Sequence, residues 1–255
     1  MNTNDIFRRV VHFAPDIGLT YLSVPKVACS SFKRSIWESV DRKKGVQTLL
    51  EGMSPHRKDT SPFVHALPAL KRRMDSFIDS RFVVVVRNPY VRLLSGYLDK
   101  VAAERRDMKV WTVVARQLDY KITDRPSFPD FVSRLSNVDV TNVDPLFAPQ
   151  SEVANIGRFP VDHLGHLEAL EPTVELLAKY DVDLSPYRPH ETNSSGRLDE
   201  CYTDREFDAA ARMFANDFEM FAYSTDPADL DARGPKRVPS VSREKLREYL
   251  LDVLG

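Results

Sequence analysis

The sequence predicts an α/β fold in which a central parallel sheet is flanked by helices, and three observations carry that expectation. Residues 82–86 (FVVVV) form an uninterrupted β-branched apolar run, the pattern of a parallel strand covered on both faces. Residues 19–24 (LTYLSV) form a second short apolar run, closed by Pro25, which cannot continue a central ladder. After each run the apolar residues shift to helical spacing, so strand, tight loop and helix follow one another twice.

At 255 residues the chain exceeds the usual single-domain size but lies within the reach of one α/β domain with insertions. A hydrophobic share of 42% supports a real core, and a charged share of 29% is ordinary for a soluble globular chain. The net charge of -1 argues against wholesale coating of nucleic acid, and no nucleic-acid partner is expected. Small basic clusters at 42–44, 57–58, 71–73 and 105–106 read as solvated faces that could also line an anion site. Two cysteines, Cys29 and Cys201, can build neither a disulfide framework nor a four-thiolate zinc site, and they fit a reducing compartment. No apolar run at the N-terminus resembles a signal peptide and no window approaches a transmembrane span, so a cytoplasmic protein is expected.

In the first strand–loop–helix unit, Ser30 or Ser31 is expected to cap a helix that buries Phe32, Ile36 and Val40, with Lys33, Arg34 and Glu38 facing elsewhere. The first turn of a helix offers unpaired N–H groups and the positive end of the macrodipole, so an anion belongs in the loop before it. Lys26 adds a full charge there, and Ser30 and Ser31 add hydroxyl donors. A capped helix with a solvated Lys26 is the plainer alternative. The GxxxxGK[ST] pattern is not met: no glycine stands between Gly18 and Gly45, and the lysine precedes the turn.

Residues 45–62 read as a surface loop or a short mobile helix, followed by His65 and a helix over 67–77 with Leu70, Met74 and Phe77 on one stripe. The strand over 82–86 ends at Arg87; Asn88 as cap and Pro89 at the first helical position open a helix running to about Arg106. Tyr90, Leu94 and Val101 form its core stripe, with Arg92, Ser95 and Asp99 opposite. Further helices are expected at 111–117, 128–135, 171–180 and, as one long element, 204–221, with a third strand at 159–164. Trp37 and Trp111 read equally as core or as stacking platforms. Residues 226–240 read as a linker, and 243–254 as an amphipathic helix that packs either on the domain or, in a homodimer, on a second copy.

Residues 25–34 (PKVACSSFKR) and 83–100 (VVVVRNPYVRLLSGYLDK), in this order and each between a strand and a helix, resemble the two donor-binding motifs of the carbohydrate sulfotransferases of the chondroitin and HNK-1 type, sulfotransferase family 2. Residues 144–150 (DPLFAPQ), 161–170 (VDHLGHLEAL) and 216–223 (NDFEMFAY) are similar to the family's later segments. The resemblance separates a sulfotransferase domain over 1–225 from a linker and helix over 226–255. It implies a P-loop-like three-layer fold, 3'-phosphoadenosine-5'-phosphosulfate (PAPS) as donor, and a carbohydrate or glycoconjugate acceptor. By the same resemblance Lys26, Val27, Ala28, Cys29, Ser30, Ser31 and Phe32 would hold the 5'-phosphosulfate, and Arg87 with Ser95 the 3'-phosphate. The membrane anchor and luminal cysteines of eukaryotic members are absent from this sequence, which points to a soluble bacterial-type member. Leu146 and Phe147 stand where the family often has histidine and tryptophan.

The two motifs supply no base. His65 lies between them, at a distance before the arginine motif similar to that of the base in the heparan 2-O-sulfotransferases, and is expected to be catalytic beside Lys26. A histidine capping the next helix or filling the core is the alternative, with Glu51, Asp59 and His190 next as bases. No metal is expected, since the transferred group carries one negative charge that protein cations can balance. His163 and His166, with Asp162 and Glu168, do not read as a metal site because a strand and a turn separate them. Cys29, at the helix start, reads as a thiol of lowered pKa or, more simply, as a small thiol packed behind the loop. A nucleotide-dependent kinase and a binding protein without turnover are the other functions considered.

Overall fold

The computed structural model describes residues 3–104, 106–184, 193–232 and 236–254. In chain order these form α1 (Thr3–Arg9), β1 (Val11–Ala14), β2 (Leu19–Leu22), α2 (Cys29–Lys44), α3 (Leu67–Lys71), α4 (Met74–Ile78), β3 (Arg81–Val86), α5 (Pro89–Lys100), α6 (Met108–Gln117) and α7 (Phe128–Leu135). There follow α8 (Gln150–Val153), β4 (His163–His166), α9 (Glu171–Ala178), α10 (Leu198–Cys201), α11 (Asp204–Met213), α12 (Ala215–Phe221) and α13 (Arg243–Leu254).

The four strands form one sheet in the order β1-β2-β3-β4. β2, β3 and β4 are parallel, as expected, but β1 runs antiparallel to β2, so the sheet is mixed. The reason is local: residues 15–18 link the two strands in a tight turn that ends at Gly18 with φ 65°, and so short a connection can only join antiparallel neighbours. β1 has four residues, too few for a period to show. Side chains alternate across the sheet. Phe13, Leu22, Phe82, Val84 and Val86 enter one core with α5 and α13, while Tyr21, Val83 and Val85 enter the other with Phe32, Ile36 and Val40 of α2 and Leu177 of α9. Helices therefore cover both faces.

Several expected elements change at their ends. The helix over 67–77 is two short ones, α3 and α4, broken at Arg72 and Arg73, and the helix after Pro89 stops at Lys100 rather than near Arg106. The last strand is His163–His166 instead of 159–164, because Pro160 cannot donate to a ladder; Phe159 makes only an isolated bridge to Ile156. The long helix over 204–221 is interrupted at Phe214. α13 packs on its own domain, with Leu246 and Leu250 buried in the main core. Arg243 of α13 reaches Asp162 at 2.7 Å and Arg247 reaches Asp75 at 2.8 Å. The apolar face expected either to cover the domain or to meet a second copy covers the domain.

Candidate active site

The loop between β2 and α2 has an unusual backbone. Lys26 (φ 68°) and Ala28 (φ 58°) both take the left-handed conformation, which costs a side-chain-bearing residue about 1–2 kcal/mol. Among the described residues five other non-glycine residues have positive φ, and four of them are Asn or Asp, which tolerate that region, so two strained residues within three positions mark this loop. Helix α2 starts two or three residues earlier than expected: its N-cap is Ala28, and neither Ser30 nor Ser31 caps it. By contrast, Asn88, Asp107 and Ser127 cap α5, α6 and α7 through their side chains. Val27 and Phe32 anchor the loop in the two opposite cores, Phe32 stacking on Tyr21 at 5.2 Å, so both present backbone rather than side chain to the loop's mouth. Cys29, half-buried, carries a free thiol.

The second motif meets this loop directly. Arg87, at the carboxyl end of β3, donates from Nη1 to the carbonyl of Lys26 at 3.4 Å. Arg92 is buried, with its guanidinium on the carbonyls of Pro25 (3.1 Å), Ala148 (2.9 Å) and Pro145 (2.8 Å). Burial lowers its pKa to about 10, and it serves as a cross-brace between the loop and residues 145–148. Lys26 Nζ lies 2.9 Å from Asp99 Oδ2, one turn beyond Ser95 on the same face of α5. Ser95 itself is buried on that face. Among the described residues no carboxylate stands at ion-pair distance from Arg87; burial pulls its pKa down while Glu168 and Tyr223 pull it back up.

Three later segments converge on the backbone that carries Arg87. Gln150 accepts from the Arg87 N–H (2.9 Å) and donates to the Arg87 carbonyl (2.7 Å). Glu168 accepts from the Asn88 N–H at 2.9 Å and from the Tyr223 hydroxyl at 2.7 Å. Asp217, fully buried, accepts from the N–H groups of Gln150 (2.6 Å) and Ser151 (3.0 Å), capping α8 from outside. Burial pushes the carboxyls of Glu168 and Asp217 up in pKa, and these donors partly offset it. The motifs at 144–150, 161–170 and 216–223 thus share one physical task, holding the end of β3 in place.

The histidines divide differently from expectation. His56, 26 residues from Ser30 in sequence, places Nε2 at 2.8 Å from Ser30 Oγ and Nδ1 at 3.3 Å from Lys33 Nζ. With the Lys33 ammonium donating to Nδ1, the neutral ring carries its proton on Nε2 and donates to Ser30. Lys33, expected to face away, is buried, and burial lowers its pKa. No periodicity or spacing in the loop over 45–62 marks His56; only the folding of that loop over α2 reveals it. His65 is half-buried beside His12 (ring centroids 5.4 Å) and Phe63, and its Nε2 lies 3.3 Å from Ser61 Oγ. Burial, then the charges of Lys58, Lys33 and Arg8, lower its pKa to about 4. Among the described residues His65 forms no hydrogen bond to residues 26–32; Lys33 links the two regions through its charge.

Of the other described candidates, Asp59, Trp37, Trp111, His163 and His166 have structural partners. Glu51 is exposed, and Asp59 pairs with Arg57 at the surface. His190 lies outside the described residues. Trp37 and Trp111 are core residues whose indole N–H groups bond Thr48 Oγ1 and the Ile122 carbonyl, both at 2.7 Å. His163 meets Thr173 Oγ1 (2.9 Å), His166 the Phe221 carbonyl (2.8 Å), and Asp162 the Phe82 N–H (2.7 Å). Among the described residues no group of three His, Cys, Asp or Glu side chains is placed to hold a metal ion, and no helix is long and apolar enough to cross a membrane.

A strained, uncapped helix start with a lysine, joined to an arginine at the end of the neighbouring parallel strand, gathers positive charge at the carboxyl ends of two strands. The sequence model of the sulfotransferase family matches residues 10–224 of the chain. No curated protein and no solved structure matches it.

Proposed function

This chain belongs to the sulfotransferase family, and from that premise we propose that it moves a sulfuryl group from PAPS to a hydroxyl of a carbohydrate or glycoconjugate acceptor. The observation that carries this reading is the junction of Lys26 and Arg87 at the carboxyl ends of β2 and β3, the position where open α/β sheets take their ligands. Lys26 and the backbone of Val27, Ala28, Cys29, Ser30, Ser31 and Phe32 hold the 5'-phosphosulfate; Arg87 and Ser95 hold the 3'-phosphate. The residues fit the donor: two cations and an uncapped helix start face a ligand that brings negative charge at both ends.

In the reaction the acceptor oxygen attacks sulfur in line, forming an O–S bond as the bond from sulfur to the bridging phosphate oxygen breaks. His65 takes the acceptor's proton, and the electron pair of the broken bond stays on the 3',5'-bisphosphate. Lys26 and the first turn of α2 stabilise the charge that grows there, a contribution made chiefly in the transition state. Free thiols at Cys29 and Cys201 suit a reducing compartment, and the reading places the reaction in the cytoplasm.

Incubation with sulfur-labelled donor and a panel of saccharides tests the proposal. Label should enter one acceptor class with release of an equal amount of bisphosphate; phosphate transfer from ATP, or donor binding with no transfer to any hydroxyl compound, overturns it.

A further inference from the structure

Pro25 and Lys26 are addressed from one direction by three side chains of the β3–α5 unit. Arg87 bonds the Lys26 carbonyl, Arg92 bonds the Pro25 carbonyl, and Asp99 bonds the Lys26 ammonium at 2.9 Å. The first two fix the backbone. The third is chemically different, because it sets a carboxylate against the very charge that the proposed donor requires.

The pair is well shielded, with side-chain exposures of 11% for Lys26 and 17% for Asp99, so its attraction is stronger than that of a surface ion pair. A second ammonium, Lys100, lies 3.3 Å from the same Asp99 oxygen. Burial raises the pKa of the Asp99 carboxyl, but the two lysines more than offset that and hold it below its ordinary value. Asp107, 3.9 Å from Lys100, is the other carboxylate in this group. The three charges Lys26, Asp99 and Lys100 sum to one positive charge. If Lys26 leaves, Asp99 keeps a cation and is not stranded as an unpaired buried charge, which would otherwise be strongly unfavourable.

Resting on the reading of Lys26 as the residue that meets the donor's 5'-phosphosulfate, we propose that Asp99 is a positioning residue that holds the Lys26 ammonium in the free protein and yields it to the donor. Lys100 retains the carboxylate when the exchange occurs. A carboxylate beside an anion site weakens binding, so its presence lowers donor affinity while holding the Lys26 ammonium in one orientation before the donor arrives.

The test is calorimetric titration of 3',5'-bisphosphate into wild type, Asp99→Asn, Lys26→Ala and the double variant. Asp99→Asn should bind about five- to tenfold more tightly than wild type, the low end of ordinary coupling between sites. The gain should vanish when Lys26 is already alanine, since the two side chains act through each other. A merely structural Asp99 would give weaker or unchanged binding, and that result overturns the proposal, as does a gain that persists in the Lys26→Ala background. Should Asp99→Asn fold poorly, Asp99→Ser carries the same expectations. Lys26→Ala alone should weaken binding; if it does not, the donor-site reading itself fails. Weakening in Lys26→Ala with no gain in Asp99→Asn leaves the donor site standing and removes only the exchange.

Discussion

Arg87 is a planar, permanently charged donor at a strand end, and its backbone is clamped by Gln150 and Glu168 before any ligand arrives. Replacing it with alanine should cost about 2 kcal/mol of affinity for 3',5'-bisphosphate, the scale of a hydrogen bond to a charged group. The analogue lacking the 3'-phosphate should lose almost nothing, and equal losses in calorimetry would sink the assignment. His65→Ala should lower turnover by about two to four orders of magnitude with donor binding intact. A variant that keeps more than about a tenth of wild-type turnover moves the role elsewhere, with His56, bonded to Ser30, the first to test by the same substitution. With a pKa of about 4, His65 is neutral at pH 7 and loses its ability to accept a proton only as pH falls through about 4. The kcat/KM profile should therefore stay level from pH 7 to pH 5 and drop below it; an acidic limb centred near 6.5 contradicts the assignment. Burial and neighbouring cations, the two causes of the shift, are both consequences of folding that His65's place in sequence does not disclose.

At the scale of the element, the β2–α2 loop holds Ala28 in a conformation that glycine adopts freely. Ala28→Gly should raise stability by about 1 kcal/mol in denaturant titration, the relief of left-handed strain exceeding the added freedom of the unfolded chain. A loss of stability would mean that the alanine methyl makes a packing contribution larger than the strain. β4 shows the opposite constraint. A Cβ on Gly165 would stand 2.2 Å from Thr173 Oγ1 and 3.3 Å from Val85 Cγ2, so β4 and α9 are packed against each other over bare backbone. Gly165→Ala should destabilise by about 1–3 kcal/mol through displacement of α9, whereas a thermal midpoint within about a degree of wild type would show that Thr173 can turn away without cost.

Across the whole molecule, buried histidines set the response to acid. His12 is fully enclosed, and burial, then the charges of Lys33 and His65, lower its pKa well below the ordinary value; burial also lowers His65, His163 and His166. Each binds fewer protons folded than unfolded between its lowered pKa and about 6.5, so stability rises with pH through that window and is lost as pH falls through it. For His65 the window runs from about 4 to 6.5. Glu168 and Asp217, with raised pKa values, act in the opposite sense, favouring the folded state until pH climbs past their unfolded values. His12→Phe keeps a ring between Phe63 and Tyr21 but removes the proton site. Its thermal midpoint should fall less between pH 7 and pH 5 than that of wild type, and equal falls would show that His12 does not contribute to the acid response.

The two strand–loop–helix units, the stripe of α2, the cap at Asn88 and the span of α13 are all legible in the chain, because each depends on neighbours within a few residues: a β-branched run, a period of four, an Asn-Pro pair. The family, too, is written locally, in two motifs whose residues lie close together. What needed the fold is whatever joins distant segments. β1 was hidden by its shortness and by a turn whose direction only pairing reveals. Lys33 sits on the polar side of a helical wheel yet is buried, since the loop over 45–62 folds across it and brings His56 to Ser30. Behind Arg87, Gln150 lies 63 residues along the chain from Arg87, Glu168 lies 80 from Asn88 and Asp217 lies 67 from Gln150, and the meeting of Lys26 with Asp99 spans 73. Local propensity decides which elements form, whereas burial, charge pairing and the pKa of His65 depend on which elements come to lie together, and that is settled only when the core closes.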